Sequence, residues 1–180
     1  MKRHCPLVLT VLLAVATEIP ANAQAPRDSV DRYAFDLDTQ SGHYSFWSLQ
    51  TLRHDRLRVT LVVGELRRHA RWAPAFMLSL RAGDDIAFLR LWAPERKPPL
   101  VMTLEARSGQ DADSVRFTRT VATNETIHVE LDWSKRGVLR AVIDSREVRD
   151  IRLAFRPISF EVTSSTGQIK ADSLVLFRRP

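Results

Sequence analysis

His128, Glu130 and Asp132 stand at alternate positions in TIHVELDWSKRGVL (126–139). Alternate residues of a strand share a face, with Cα atoms roughly 6.5–7 Å apart. That spacing admits two carboxyl groups about 5–5.5 Å apart, the separation used by a retaining glycosidase. Glu130 and Asp132 are therefore candidate catalytic carboxylates. The same residues also fit the wet face of an ordinary strand, because Val129, Leu131 and Trp133 supply its apolar alternate.

Other chemistry leaves fewer marks. His43, His54, His69 and His128 show neither HxH nor HExxH spacing, and no GxSxG elbow or glycine-rich phosphate loop is present. Asp84 and Asp85 in GDD (83–85), with Asp111 and Asp113 in DAD (111–113), offer the oxygen ligands that calcium prefers. No other cofactor is indicated. Sugar recognition usually combines an aromatic platform with polar groups that fix orientation. Two sets qualify: Trp72 with Arg71 and His69, and Trp92 with Arg90 and Glu95. Trp47 and Trp133 fall in strand patterns and are expected to pack against the core.

Strands must position these groups. From Tyr33 onward the apolar pattern has period two. RLRVTLVV (56–63) sets Leu57, Val59, Leu61 and Val63 against Arg56, Arg58 and Thr60, and ISFEVTS (158–164) sets Ile158, Phe160 and Val162 against Ser159, Glu161 and Thr163. About a dozen such segments separated by turn signals predict an all-β, two-sheet antiparallel sandwich. The terminal strand is expected at 173–178. Only ELRRHARWAPAF (65–76) breaks the alternation, and a basic connection of this kind is where such a fold can carry a site.

The C-terminal half has a more specific layout. IHVELDWSKRGVLRAVIDSREV (127–148) reads as a strand ending in Asp-Trp, a polar turn with Gly137, a strand ending in Val-Ile-Asp and a second tight turn. STGQIKADSLVLF (165–177) follows, and FDLD (35–38) stands near the start. This resembles the concanavalin A-like lectin/glucanase superfamily, especially its laminin-G-like jelly-roll domains. The resemblance implies a jelly-roll sandwich whose first strand pairs with its last. Ser145 stands where the hairpin glycine of those domains is usual. Hydrolases of the superfamily carry Glu, Asp and Glu at alternate positions; here the third position is Ser134.

The start of the chain has the layout of a secretory leader: Lys2, Arg3, His4, an apolar run at 6–16 and ANA at 21–23. The run is short of the roughly 20 residues that a spanning helix needs. Residues 1–23 are therefore expected to be a cleaved signal peptide, 24–32 a polar lead-in and 33–180 one sandwich domain. No transmembrane segment would remain after cleavage, and the protein would be periplasmic or secreted. Cys5 is the only cysteine, so the remaining chain holds no disulfide and no thiol nucleophile.

The charge is basic, 27 Lys+Arg against 21 Asp+Glu. Loss of Lys2, Arg3 and Glu18 leaves 25 against 20, a net of +5. An exported protein does not ordinarily meet nucleic acid. The balance points instead to an anionic glycan or membrane surface, or to a solvated arginine-rich exterior. The expected function is an exported, non-catalytic, lectin-like carbohydrate-binding domain, with Arg67 to Arg71 meeting any anionic glycan. The alternatives are a protein-interaction or envelope-structural module without a sugar site, and a glycoside hydrolase of the same fold.

Overall fold

The computed structural model of the chain describes residues 30–178. The expected signal peptide lies outside the described residues. Twelve strands run as β1 (Val30–Asp38), β2 (Tyr44–Leu49), β3 (His54–Leu66), β4 (Ala75–Ala82), β5 (Asp85–Trp92), β6 (Leu100–Ser108), β7 (Asp111–Val121), β8 (Thr126–Asp132), β9 (Val138–Ile143), β10 (Glu147–Arg152), β11 (Ser159–Ser165) and β12 (Gly167–Arg178). The described residues contain no helix. The strands form two six-stranded sheets, β1-β12-β3-β8-β9-β10 and β2-β11-β4-β5-β6-β7. Every pairing is antiparallel. The two-sheet architecture expected from period-two patterning is the one observed.

The apolar alternates build the core. Leu57, Val59, Leu61 and Val63 of β3 are buried, as are Leu100, Met102 and Leu104 of β6 and Val129 and Leu131 of β8. Beside β6 in the second sheet, Phe76, Leu78, Leu80, Leu89, Leu91, Phe160 and Val162 complete the side of the core that faces β3 and β8. Trp47 packs on this core, 6.1 Å from the Phe35 ring and 6.2 Å from that of Phe160. Trp133 is buried and donates Nε1–H to the His54 carbonyl at 3.0 Å.

Several boundaries differ from the sequence reading. Val30, Asp31 and Arg32, assigned above to the lead-in, already pair with Phe177, Leu176 and Val175. Ile158 is 57% exposed, because it precedes β11 at the rim of the sandwich. The last strand begins at Gly167, not residue 173, and its register against β3 shifts between Ala171 and Ser173. Ile169 and Ala171 are buried before the shift, Leu174 and Leu176 after it. A bulge of this kind reverses the alternation within one strand, so period-two reading finds only one half.

Candidate functional site

Residues directly opposite in antiparallel strands project to the same face. On the second sheet the core-facing set is Phe76, Leu78 and Leu80 of β4, with Phe160 and Val162 of β11. The other parity must face outward. One transverse row of that outer face reads Tyr44, Ser165, Ala75, Trp92, Val101. The next reads Phe46, Thr163, Met77, Arg90, Thr103. Tyr44 and Phe46 on the edge strand are 66% and 59% exposed. Trp92 and Arg90 stand on β5, three strand spacings or about 14 Å away. Between them lie the smaller Ser165, Ala75 and Thr163 and the flexible Met77. Side-chain size alone makes this a strip lower than its aromatic flanks.

The β5–β6 side of the strip is held by charge. The Arg90 guanidinium lies 4.9 Å from the centre of the Trp92 ring and contacts Glu105 at 2.9 Å. Glu105 is 9% exposed although it points outward. It also accepts from Thr103 Oγ1 at 3.0 Å and pairs with Arg107 at 3.2 Å. Arg107 in turn covers Phe88, a buried ring on this outer face. Ser79 Oγ, Arg81 Nε, Arg90 Nε and Trp92 Nε1 are covered by neighbouring atoms and have no hydrogen-bond partner in the protein. A covered donor without an acceptor costs about 1–3 kcal/mol. All four lie on this face and are closed to solvent.

At one end of this face the 67–74 connection meets the 93–99 connection. His69, Ala70, Glu95 and Lys97 line a cavity of ≈410 Å³ between them. His69 Nδ1 accepts the backbone N–H groups of Arg71 and Trp72, both at 3.2 Å, which leaves the ring proton on Nε2. Its ring meets Trp72 edge-on at 5.8 Å, and Trp72 is 44% exposed. A Cβ on Gly42, whose φ is 77°, would sit 2.8 Å from His69 Nε2, so a glycine there allows the loop to close. Ala93 N–H donates to the Pro74 carbonyl at 3.0 Å, tying the two connections together. Both aromatic sets read from the sequence, Trp72 with Arg71 and His69 and Trp92 with Arg90, thus border the same end of one sheet. Glu95 pairs with Lys97 rather than with the Trp92 group. Arg67 is committed to Asp38, Glu65 and the Thr39 carbonyl, leaving Arg71 exposed on the loop.

The acidic candidates lie elsewhere. Glu130 and Asp132 project outward from the first sheet. Arg58 Nε holds Glu130 at 2.5 Å, and Asp132 Oδ1 accepts both N–H and Oγ–H of Ser134. On the second sheet Glu161 and Glu105 are also three strand spacings apart, about 14 Å. Hydrolytic pairs are separated by about 5–9.5 Å. The aspartates read as calcium ligands are also dispersed. Asp111 and Asp113 belong to strand β7 rather than to a loop, and Asp113 accepts the Arg152 N–H at 2.9 Å. Asp84 and Asp85 belong to the Ala82–Asp85 turn between β4 and β5. Among the described residues no group of three His, Cys, Asp or Glu is placed to hold a metal ion.

Comparison with known proteins places this geometry in a wider setting. No protein-family model and no curated protein matches the sequence. Solved structures do match. A galectin of Caenorhabditis elegans superposes with a TM-score of 0.53 and 17% identity, over 79% of this chain and 94% of that one. The fold is concanavalin A-like. A lactose- and MES-liganded congerin II matches with a TM-score of 0.53 and 11% identity, over 73% of this chain and 99% of its own. The β-glucanase of Bacillus licheniformis matches equally well, at 10% identity over 82% and 78%. At such identities the likeness speaks for the concanavalin A-like sandwich and leaves function to the residues. Tyr44 and Phe46 were not nominated by sequence. The signal was present in YSFW (44–47), where an inward Trp47 puts Tyr44 and Phe46, at positions of the opposite parity, on the outer face.

Proposed function

We propose that the protein is an exported, non-catalytic carbohydrate-binding domain whose site is the outer face of β2-β11-β4-β5-β6. The observation that carries this reading is the pair of exposed rings, Tyr44 and Phe46, standing opposite Trp92 and Arg90 across small and hydroxyl-bearing side chains. Such rings offer faces on which the apolar C–H side of a sugar ring can stack. The Ser165 and Thr163 hydroxyls, on the strip between the rings, supply orienting hydrogen bonds. Trp72 and Arg71 extend the surface at its open end. Neighbours of the same fold include a congerin carrying lactose, which agrees with a sugar ligand for this architecture. Glu130 and Asp132 belong to the opposite sheet and take no part.

A glycan array probed with the purified protein tests the proposal, alongside Tyr44→Ala, Trp92→Ala and Trp72→Ala. At least one glycan class should bind. Tyr44→Ala and Trp92→Ala should each weaken it by about tenfold, or about 1.4 kcal/mol, with unchanged circular dichroism. Binding that survives both substitutions, or an array with no binder, would overturn the assignment.

A further inference from the structure

The end of the sandwich opposite Trp72 carries a larger cavity. The β8–β9 turn and the segment joining β10 to β11 enclose ≈730 Å³, between residues 133–137 and 152–157. Lys135, Arg136, Arg152 and Arg156 line it, and no carboxylate does. Arg58, Arg81, Arg90, Arg119, Arg140 and Arg149 are each paired with an acidic residue. Arg136, Arg152 and Arg156 have no such partner, which is also true of Arg32, Arg53, Arg56, Arg68, Arg71, Arg96, Arg116 and Arg146 elsewhere among the described residues. Lys135 is near enough to Asp150 to help hold that carboxyl below its usual range, after the larger effect of the Arg140 hydrogen bond. The recess thus gathers four cationic side chains with no carboxylate in its lining.

The recess is built rather than incidental. Leu153 N–H donates to the Gly137 carbonyl at 3.0 Å and ties its two walls together. Trp133 is anchored by its own N–H to the Asp55 carbonyl and by Nε1–H to that of His54. Asp132 holds the Ser134 end of the turn, and Asp113 holds the Arg152 backbone. Half-buried Phe155 and buried Pro157 give an apolar wall beneath the cations. Pockets for organic ligands span about 300–1,000 Å³, so this volume exceeds the needs of a bare anion. Guanidinium groups match carboxylate and sulfate oxygens through paired N–H donors. Apolar wall, cationic rim and volume together fit a short chain of acidic sugars.

We propose that this cavity binds a carboxylated or sulfated oligosaccharide, with Arg136, Arg152 and Arg156 as its charge partners. The site is remote from the face of Tyr44 and Trp92, and it stands or falls separately from the function proposed for that face. Isothermal titration calorimetry of the purified protein provides the test, using tetragalacturonate, its methyl ester, a chondroitin sulfate tetrasaccharide and sodium sulfate. Sedimentation with phosphatidylglycerol vesicles is run in parallel. At least one acidic tetrasaccharide should bind, and the neutral ester should bind at least about tenfold more weakly. Raising salt to about 0.5 M, where screening acts within a few ångströms, should reduce affinity further. Arg152→Ala/Arg156→Ala and, on the exposed turn, Arg136→Gln should each weaken binding about tenfold or more, while Tyr44→Ala leaves it unchanged. Three results would overturn the proposal: undiminished binding by both arginine variants, equal affinity for sulfate and tetrasaccharide, or capture by vesicles alone.

Discussion

Asp144 and Ser145 form the centre of the β9–β10 hairpin, both in the left-handed region, with φ of 49° and 57°. The Arg146 N–H donates to the Ile143 carbonyl at 3.0 Å, completing a two-residue turn of type I′. Such turns favour Asn-Gly or Asp-Gly, because a side chain in this region crowds the following carbonyl. Asp144 is compensated: its Oδ1 accepts the His128 N–H at 2.8 Å and its other oxygen meets Arg119. No side-chain bond of that kind holds Ser145, so its strain is uncompensated. Ser145→Gly should therefore raise stability by about 0.5–1 kcal/mol, read as a higher urea midpoint with an unchanged slope. A lower midpoint would show that the turn is not strained at this residue. Ser145 in place of the usual glycine implies, from sequence, either another turn type or a slightly strained one; the positive φ at both central residues decides for the second.

The connection from β7 to β8 shows how an element end is held by one carboxylate. Glu125 Oε2 accepts the Ala122 N–H at 2.7 Å, and Oε1 accepts from Arg119 at 2.8 Å. These bonds, the backbone one foremost, hold the Glu125 carboxyl below its ordinary value of 4.5. A lowered native value means that the carboxylate stabilises the fold fully above pH 4.5. The contribution is then lost as pH falls through the native value. Glu125→Gln should consequently be less stable than the parent at pH 7, with the difference shrinking as pH falls below 4.5, in urea melts across that interval. Curves that stay parallel across that interval would exclude this linkage. The same scale explains the partial reading of β12. Ile169 and Ala171 face inward at odd positions, whereas Leu174 and Leu176 do so at even ones. The bulge between them depends on the partner β3, which local alternation does not contain.

Over the whole molecule, charge is divided unevenly between faces and ends. Arg58, Arg90 and Arg140 on the sheet faces are neutralised by acids, whereas Lys135, Arg136, Arg152 and Arg156 meet around the recess at residues 133–137 and 152–157 with no carboxylate in its lining. Around that recess the positive charge acts as a local feature. Export is argued at this scale too, from the leader layout at 1–23. Expression in a bacterium with an active secretory pathway should yield a product whose N-terminus, by intact mass, is Gln24. A product retaining Met1 in the membrane fraction would count instead for an uncleaved anchor.

Alternation of apolar and polar residues is a local property, and it was enough to determine an all-β antiparallel sandwich with most of its strands and its core. FDLD at 35–38 and the strand-turn-strand layout of 127–148 added the concanavalin A-like connection, and β1 indeed pairs with β12. The sites were another matter. Trp92 and Arg90 were visible as an aromatic beside a cation, but Tyr44 and Phe46 reach the same face only through β11 and β4. Arg136 and Arg156 are 20 residues apart, and they share one cavity because Leu153 bonds to Gly137. Which charges meet partners and which remain unpaired is decided by sheet order and register, long-range quantities that one sequence specifies only through the folded chain.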